Sequence, residues 1–236
     1  MIQTYRFRLS APRNAGAAYP LYAAMLEGAP ADFGARLHES AVSPVSQYLC
    51  GDRWQVSLFG ADAIGNLSPV LEAMDRVFLR REQTGLDLHL EERVCIGSVE
   101  ELLDRELPRR GVLRLQTPTA FKSGGVYQLL PTQRLVMQSL ILKWNGCFGD
   151  ECPIEDDGGG LEALAQGLRY RSVRLDTRDF PMKHTRIPGV LGEIEYENSL
   201  SGFHRQLSNA LLTFGTYSGI GIKTTLGMGG LQITTK

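Results

Sequence analysis

Polar and apolar positions alternate over residues 3–10, with Tyr5, Phe7 and Leu9 on one face, which predicts a first strand. After a loop the period lengthens. Pro20 stands where a first helical residue would, opening a short helix through Leu26, and residues 31–37 predict another that leaves His38 at a helix C-terminus. Two runs of β-formers, 43–50 and 53–59, are joined by Gly51-Asp52, the signal of a tight hairpin. Beyond them Val70, Leu71, Met74, Val77 and Phe78 keep a 3.6-residue period, which predicts a helix from Leu67 with Ser68 as cap and Pro69 behind it. Residues 86–90 alternate again, residues 94–96 extend or resume that strand, and a charged helix over 99–107 follows. This order completes a ferredoxin-like βαββαβ unit, which predicts a first domain over residues 1–110.

A second such unit is expected over residues 111–236. It opens with a strand at 112–115 and a turn-rich stretch at 117–125, then an apolar helix at 135–144. An acidic, glycine-rich interruption at 149–160 reads as a mobile loop. A helix at 161–168, strands at 170–177 and 190–196, a helix at 203–214 and a last strand from Leu231 finish the unit. The expected fold class is therefore α+β, two tandem ferredoxin-like (RRM-like) domains, although no close sequence repeat accompanies the repeated order.

Composition narrows the class. With 236 residues, 43% apolar and 22% charged, the chain is globular and long enough for one large or two smaller cores. No apolar run approaches the roughly 20 residues of a membrane span, and the N-terminus lacks the apolar core of a signal peptide, so no membrane partner and a cytoplasmic location are expected. Cys50, Cys95, Cys147 and Cys152 form no C-x-x-C pair and are expected as reduced, mostly buried thiols. No metal site and no cofactor are expected. A net charge of −1 leaves no room for a broad basic surface, so any nucleic-acid contact must be local. One basic segment exists: Arg169, Arg171, Arg174, Arg178, Lys183 and Arg186 stand against only Asp176 and Asp179.

The richest stretch is the end of the chain, which carries six glycines over residues 215–230 with Lys223, Thr224 and Thr225 between them. Such a backbone can turn amides outward and let another backbone approach, a surface suited to phosphate. A Walker A loop needs Gly before its Lys-Thr pair, a strand before the loop and a helix after it. Here Ile222 precedes Lys223, a helix comes before and a strand after. The alternative is a glycine-rich hairpin that closes a small sheet.

Three pieces together resemble one family, the CRISPR-associated endoribonucleases that cut repeat RNA, members of the repeat-associated mysterious protein (RAMP) superfamily. They are the glycine-rich run from Gly219 to Gly229, the stretch Leu115 to Lys122, and Leu37-His38-Glu39-Ser40 followed by Pro44. The resemblance implies two tandem ferredoxin-like folds and metal-independent cleavage of precursor CRISPR RNA within each repeat. In that reaction a ribose 2′-hydroxyl attacks the adjacent phosphate, leaving 2′,3′-cyclic phosphate and 5′-hydroxyl ends. It also implies a catalytic role for His38, whose place at a helix C-terminus favours imidazolium, the form of a general acid. Tyr22, or else Tyr19, would assist; either residue reads equally well as a buried aromatic.

Family members often carry a lysine a few residues after the histidine. Here Ser43 stands in that neighbourhood, so Arg36, Arg53, Lys122 or Lys223 would have to supply the charge. The resemblance further implies that Lys223, Thr224, Thr225 and the amides around Gly219, Gly221, Gly227 and Gly229 hold RNA phosphates. Arg178, Lys183, His184 and Arg186 would form a basic hairpin against the repeat's stem. Otherwise the glycines serve only close packing and the charges only a solvated face. The implied partners are CRISPR repeat RNA, a CRISPR effector complex and a second copy of the chain in a homodimer. Two rival functions fit the same pattern: a non-catalytic RNA-binding subunit of an effector complex, and a small-molecule enzyme using the glycine loop for a nucleotide's phosphates.

Overall fold

The protein is described by a computed structural model covering residues 1–39, 42–79, 83–155, 158–182 and 185–235. Strand β1 (Ile2–Arg13) leads into α1 (Ala18–Glu27) and α2 (Ala31–Glu39), and β2 (Val45–Phe59) follows. The stretch β2 folds back on itself at Gly51-Asp52, as the two β-rich runs predict. The Phe59 N–H donates to the Pro44 carbonyl (2.9 Å) and the Trp54 indole to Gln47 Oε1 (2.8 Å), pairing the two arms. Next come α3 (Gly60–Ala73), β3 (Arg76–Leu79), β4 (Thr84–Ile96) and α4 (Val99–Leu103). The sheet has the order β2-β1-β4-β3, antiparallel throughout. With the two arms of β2 counted separately, this is the ferredoxin-like arrangement with β3 added at one edge.

Three local expectations change. The helix expected from Leu67 begins at Gly60, and Pro69 lies inside it. Pro69 has no N–H to donate to the Gly65 carbonyl, so α3 lacks one hydrogen bond of its ladder there. Ser68 caps nothing; its hydroxyl meets the Gln3 side-chain amide at 2.8 Å. Val77 and Phe78 belong to β3, not to that helix. The helix α4 ends at Leu103, ahead of Leu107-Pro108, where the proline bars its predecessor from helical geometry.

The second half contains β5 (Arg110–Thr119), a small hairpin of β6 (Phe121–Ser123) and β7 (Val126–Gln128), α5 (Gln133–Phe148), α6 (Gly160–Gly167) and β8 (Leu168–Thr177). A second hairpin, β9 (Phe180–Pro181) with β10 (Arg186–Ile187), precedes β11 (Val190–Asn198), α7 (Gly202–Ser218) and β12 (Leu231–Thr235). Its sheet runs β12-β5-β11-β8, antiparallel, so the chain carries two tandem ferredoxin-like folds. The acidic interruption after α5 is partly tied down. Trp144 Nε1 donates to the Cys152 carbonyl and the Asn145 amide bonds Ile154 in both directions, each at 2.8 Å, while Asp156 and Asp157 lie outside the described residues.

The first half has its own apolar interior, in which Phe7 and Trp54 meet at a ring distance of 5.3 Å beneath Leu21, Met25, Leu67 and Leu71. The second interior is shared. Around Trp144, Phe148 and Phe214 it takes in Ile2, Phe59, Ile96, Val99 and Leu102 from the first half. Both tryptophans are fully buried, as expected of core residues. The thiols are less buried than expected: Cys50 and Cys95 lie exposed on strands, and Cys147 and Cys152 are half-buried. Among the described residues, no helix is long and apolar enough to cross a membrane.

Candidate nucleic-acid interface

After α7 the chain turns through its glycines. Gly221 and Gly229 adopt positive φ (75° and 71°), and a Cβ on either would run into a carbonyl oxygen, that of Ala120 or of Ile220. This close approach lets the loop bond to itself and to its neighbours. The Gly219 N–H reaches the Gly215 carbonyl (2.9 Å), the Gly221 N–H reaches Ser139 Oγ (2.8 Å) and the Gly229 N–H reaches the Pro118 carbonyl (3.1 Å). Those three amides are therefore turned inward, contrary to the expectation that they face phosphate. Gly227 serves packing too, since a Cβ there would lie 2.5 Å from that of Ala18. The side chains carry the outward chemistry, with Lys223 exposed at φ 56°. Gly229→Ala is expected to cost at least about 1–2 kcal/mol, the usual penalty of left-handed backbone for a residue with a Cβ. Denaturant unfolding checks it, and an unchanged midpoint would remove the close approach.

The loop also joins the two halves. Thr225 Oγ1 donates to the Val45 carbonyl (3.1 Å), and Gln47 Nε2 donates to the carbonyls of Thr225 (3.0 Å) and Ala18 (3.1 Å). Ser46 Oγ donates to the Ser218 carbonyl (2.8 Å), and Gln55 Nε2 to that of Thr216 (2.8 Å). Further along, Val42 packs against Gly146 of α5.

Between these contacts lies a cleft of about 460 Å³, open to solvent. Its walls are Val42, Ser43 and Ser46 from the chain that leaves α2, Ser139 and Lys143 from α5, Lys122 from β6, and residues 221–226 of the loop. No aspartate or glutamate lines it among the described residues, whereas Lys122, Lys143 and Lys223 all do. A concave surface with one sign of charge concentrates field and attracts the opposite sign, here an anion.

Lys143 differs from the other two lysines. Its Nζ donates to Thr224 Oγ1 (2.7 Å) and to the Ser218 carbonyl (3.1 Å), both neutral acceptors. Burial without a carboxylate pushes its pKa down to about 7, opposed only weakly by Cys147 one turn along the helix. Burial in turn pushes the Cys147 thiol up to about 12.

The candidate residues distribute unevenly about this cleft. His38 falls in the last turn of α2, four residues before Val42; its imidazole is outside the described structure. Tyr22 is half-buried against the first core, where burial pushes its phenol up to about 12, and Tyr19 is half-buried on the same helix. Neither is among the described residues lining the cleft. Thr224 is buried and engaged by Lys143, and Thr225 is spent on Val45.

The basic hairpin exists, with exposed Arg178 at its approach and exposed Arg186 on β10; Lys183 and His184 lie outside the described residues. It is rooted beside the glycine loop, because Phe180 and Ile187 share a small buried cluster with Ala120 and Met228. Arg171 and Arg174 instead meet Glu197 and Glu195 at 2.8 Å across β11. Of the four residues expected to supply charge, Lys122 and Lys223 reach the cleft. Arg36 is held by Asp32 and Asp62, and Arg53 lines a different cavity beside Arg6. Lys143 was not among the expected residues. The signal was present in the stripe Val136, Leu140, Lys143, Cys147, where one cation interrupts an apolar helix face.

A family model described as CRISPR-associated endoribonuclease Cas6 matches residues 113–231. The chain is 37% identical over 118 residues to a CRISPR-associated endoribonuclease Cas6 of Streptococcus thermophilus, a match covering 50% of this chain and 48% of that one. It is 29% identical over 225 residues to the Cas6 of Mycobacterium tuberculosis, covering 90% and 70% respectively. The chain thus spans about half the length of the first relative and more of the second. Among solved structures, a Cas6 product complex superposes with a TM-score of 0.76 at 20% identity over 100% of both chains. Thermus thermophilus Cas6 superposes at 0.71 and 22% identity, over 99% of this chain and 98% of that one, a likeness of fold.

Proposed function

Because the chain belongs to the CRISPR-associated endoribonuclease Cas6 family, we propose that it cuts precursor CRISPR RNA within its repeats, without a metal, at the cleft between its two halves. The observation that carries this reading is the cleft itself, whose described lining bears Lys122, Lys143 and Lys223 without a carboxylate and includes Val42 and Ser43, which follow the His38 helix. In the proposed reaction the 2′-hydroxyl oxygen bonds to phosphorus and the bond to the 5′-oxygen breaks. One proton leaves the 2′-hydroxyl and one is delivered to the 5′-oxygen, giving 2′,3′-cyclic phosphate and 5′-hydroxyl ends. His38 is the proposed proton donor, since the carbonyls at a helix C-terminus favour its cationic form. Tyr22 and Tyr19, away from the described lining, are assigned to holding α1 in place.

The cationic walls take the path of the RNA backbone, continued outward by Arg178 and Arg186 of the hairpin. The test is incubation of the protein with a CRISPR repeat RNA from the same genome in EDTA, followed by end-group analysis. Cyclic-phosphate fragments are expected. Bound but intact RNA would instead make the protein a non-catalytic subunit of the same fold. Replacing both Lys122 and Lys223 by alanine is expected to weaken RNA binding and to reduce the slope of log K against log salt by roughly 1.4, about 0.7 per lost phosphate contact. An unchanged slope would take the RNA out of this cleft.

A further inference from the structure

Lys143 lines the cleft with Lys122 and Lys223, and its setting gives it a part beyond holding the RNA backbone. An ammonium has three N–H donors; two are used on Thr224 Oγ1 and the Ser218 carbonyl, and the residue also lines the cleft. Both partners are neutral, and the Ser218 carbonyl is shared with Ser46 Oγ. Among the described residues that line the cleft, none supplies a compensating charge. Cys147 on its own helix has its thiol pushed up by burial, Lys122 and Lys223 on the facing elements are cations, and the amino terminus that reaches Cys147 is a cation as well. A buried cation held only by neutral acceptors is unfavourable until an anion joins it.

We propose that Lys143 is a catalytic residue of the RNA cleavage proposed above, meeting the reacting phosphodiester from the floor of the cleft with its third N–H. The proposal rests on that reading and adds to it a group from the second half of the chain, on the helix α5 against which Val42 packs. The geometry explains why the ammonium is fixed before substrate arrives. Thr224 and Ser218 hold its Nζ at the edge of the glycine loop, so the group is positioned without reorganisation when phosphate enters.

A consequence distinguishes this contact from a merely structural pin. In the free protein burial lowers the Lys143 pKa to about 7. A phosphate beside it raises that value, so the complex holds a proton that the free protein has released, and binding takes up a proton above pH 7. The difference in uptake between the wild type and Lys143→Arg isolates Lys143 from the titrating groups that both proteins share.

The experiment is calorimetric titration at pH 8.5, in two buffers of different ionisation enthalpy, with a repeat RNA made uncleavable by a 2′-deoxy sugar at the cut. It is run on the wild type, Lys143→Met and Lys143→Arg, and single-turnover cleavage of the all-ribose RNA is measured on each. The wild type is expected to take up close to one proton per complex. Lys143→Met takes up none and cleaves roughly 10²-fold more slowly, and Lys143→Arg takes up none yet recovers much of the rate because its charge does not titrate. Equal proton uptake in wild type and Lys143→Arg overturns the proposal, and so does undiminished cleavage by Lys143→Met. Should Lys143→Met fail to fold, the wild type and Lys143→Arg decide it between them. If Lys143→Met cleaves normally while His38→Ala does not, only this inference fails. If the wild type does not cleave, the reading of the function fails and the catalytic role falls with it, whatever the proton uptake.

Discussion

His38→Ala is expected to slow cleavage of repeat RNA by roughly 10²–10⁴ while leaving RNA affinity nearly intact, the usual share of a single general acid or base. The separation of the two effects follows from the division of labour in the cleft. On the proposed reading affinity comes from Lys122, Lys143 and Lys223, which line the cleft without a competing carboxylate among its described residues, and the substitution touches none of them. Rate depends on a proton reaching the departing 5′-oxygen, the step proposed for the His38 imidazolium. Filter binding and single-turnover cleavage on the same preparation check both halves. Cleavage equal to wild type would remove His38 from the chemistry, and a parallel loss of binding would make it a structural residue.

Phe214→Ala is the substitution with the largest expected effect on stability, about 3–5 kcal/mol. Its ring meets Phe59 at 5.6 Å, Trp144 at 5.5 Å and Phe148 at 5.6 Å, all edge-on, so truncation leaves a cavity that three rings cannot jointly fill. For a chain of this size the melting temperature is expected to fall by roughly 10 °C. Phe59 belongs to the first half and the other three to the second, so the loss must reach both sheets. Calorimetry should show one transition shifted downward. Two transitions, of which only one moves, would mean that the halves unfold separately and that the shared interior does not couple them.

Much of this fold was legible because period and punctuation agreed. Tyr5, Phe7 and Leu9 alternate and are all buried on one face of β1, and the Gly51-Asp52 pair marks the hairpin within β2. Reading went wrong where one residue type carries two meanings. Proline suits first turns, which makes Pro69 read as a helix start, whereas α3 begins nine residues before it at Gly60. The glycines from Gly219 to Gly229 announced an unusual backbone without saying which way its amides would turn; that depends on carbonyls contributed by Pro118 and Ala120, a hundred residues earlier in the chain. Lys143 stands out as the one cation in the apolar stripe Val136, Leu140, Lys143, Cys147, but the pattern alone does not say whether its head reaches water or a cleft. The cleft is made by long-range contacts between the α2 exit, α5 and the terminal loop, and local pattern does not encode them.

The most direct test of the account is a crystal structure of the protein bound to repeat RNA with a 2′-deoxy sugar at the cut. The account predicts the uncut phosphate lying in the cleft between the two halves, with the His38 imidazole on one side and Lys143 with Lys223 on the other. An RNA whose reacting phosphate lies elsewhere, for instance in the cavity lined by Arg6 and Arg53, would contradict it.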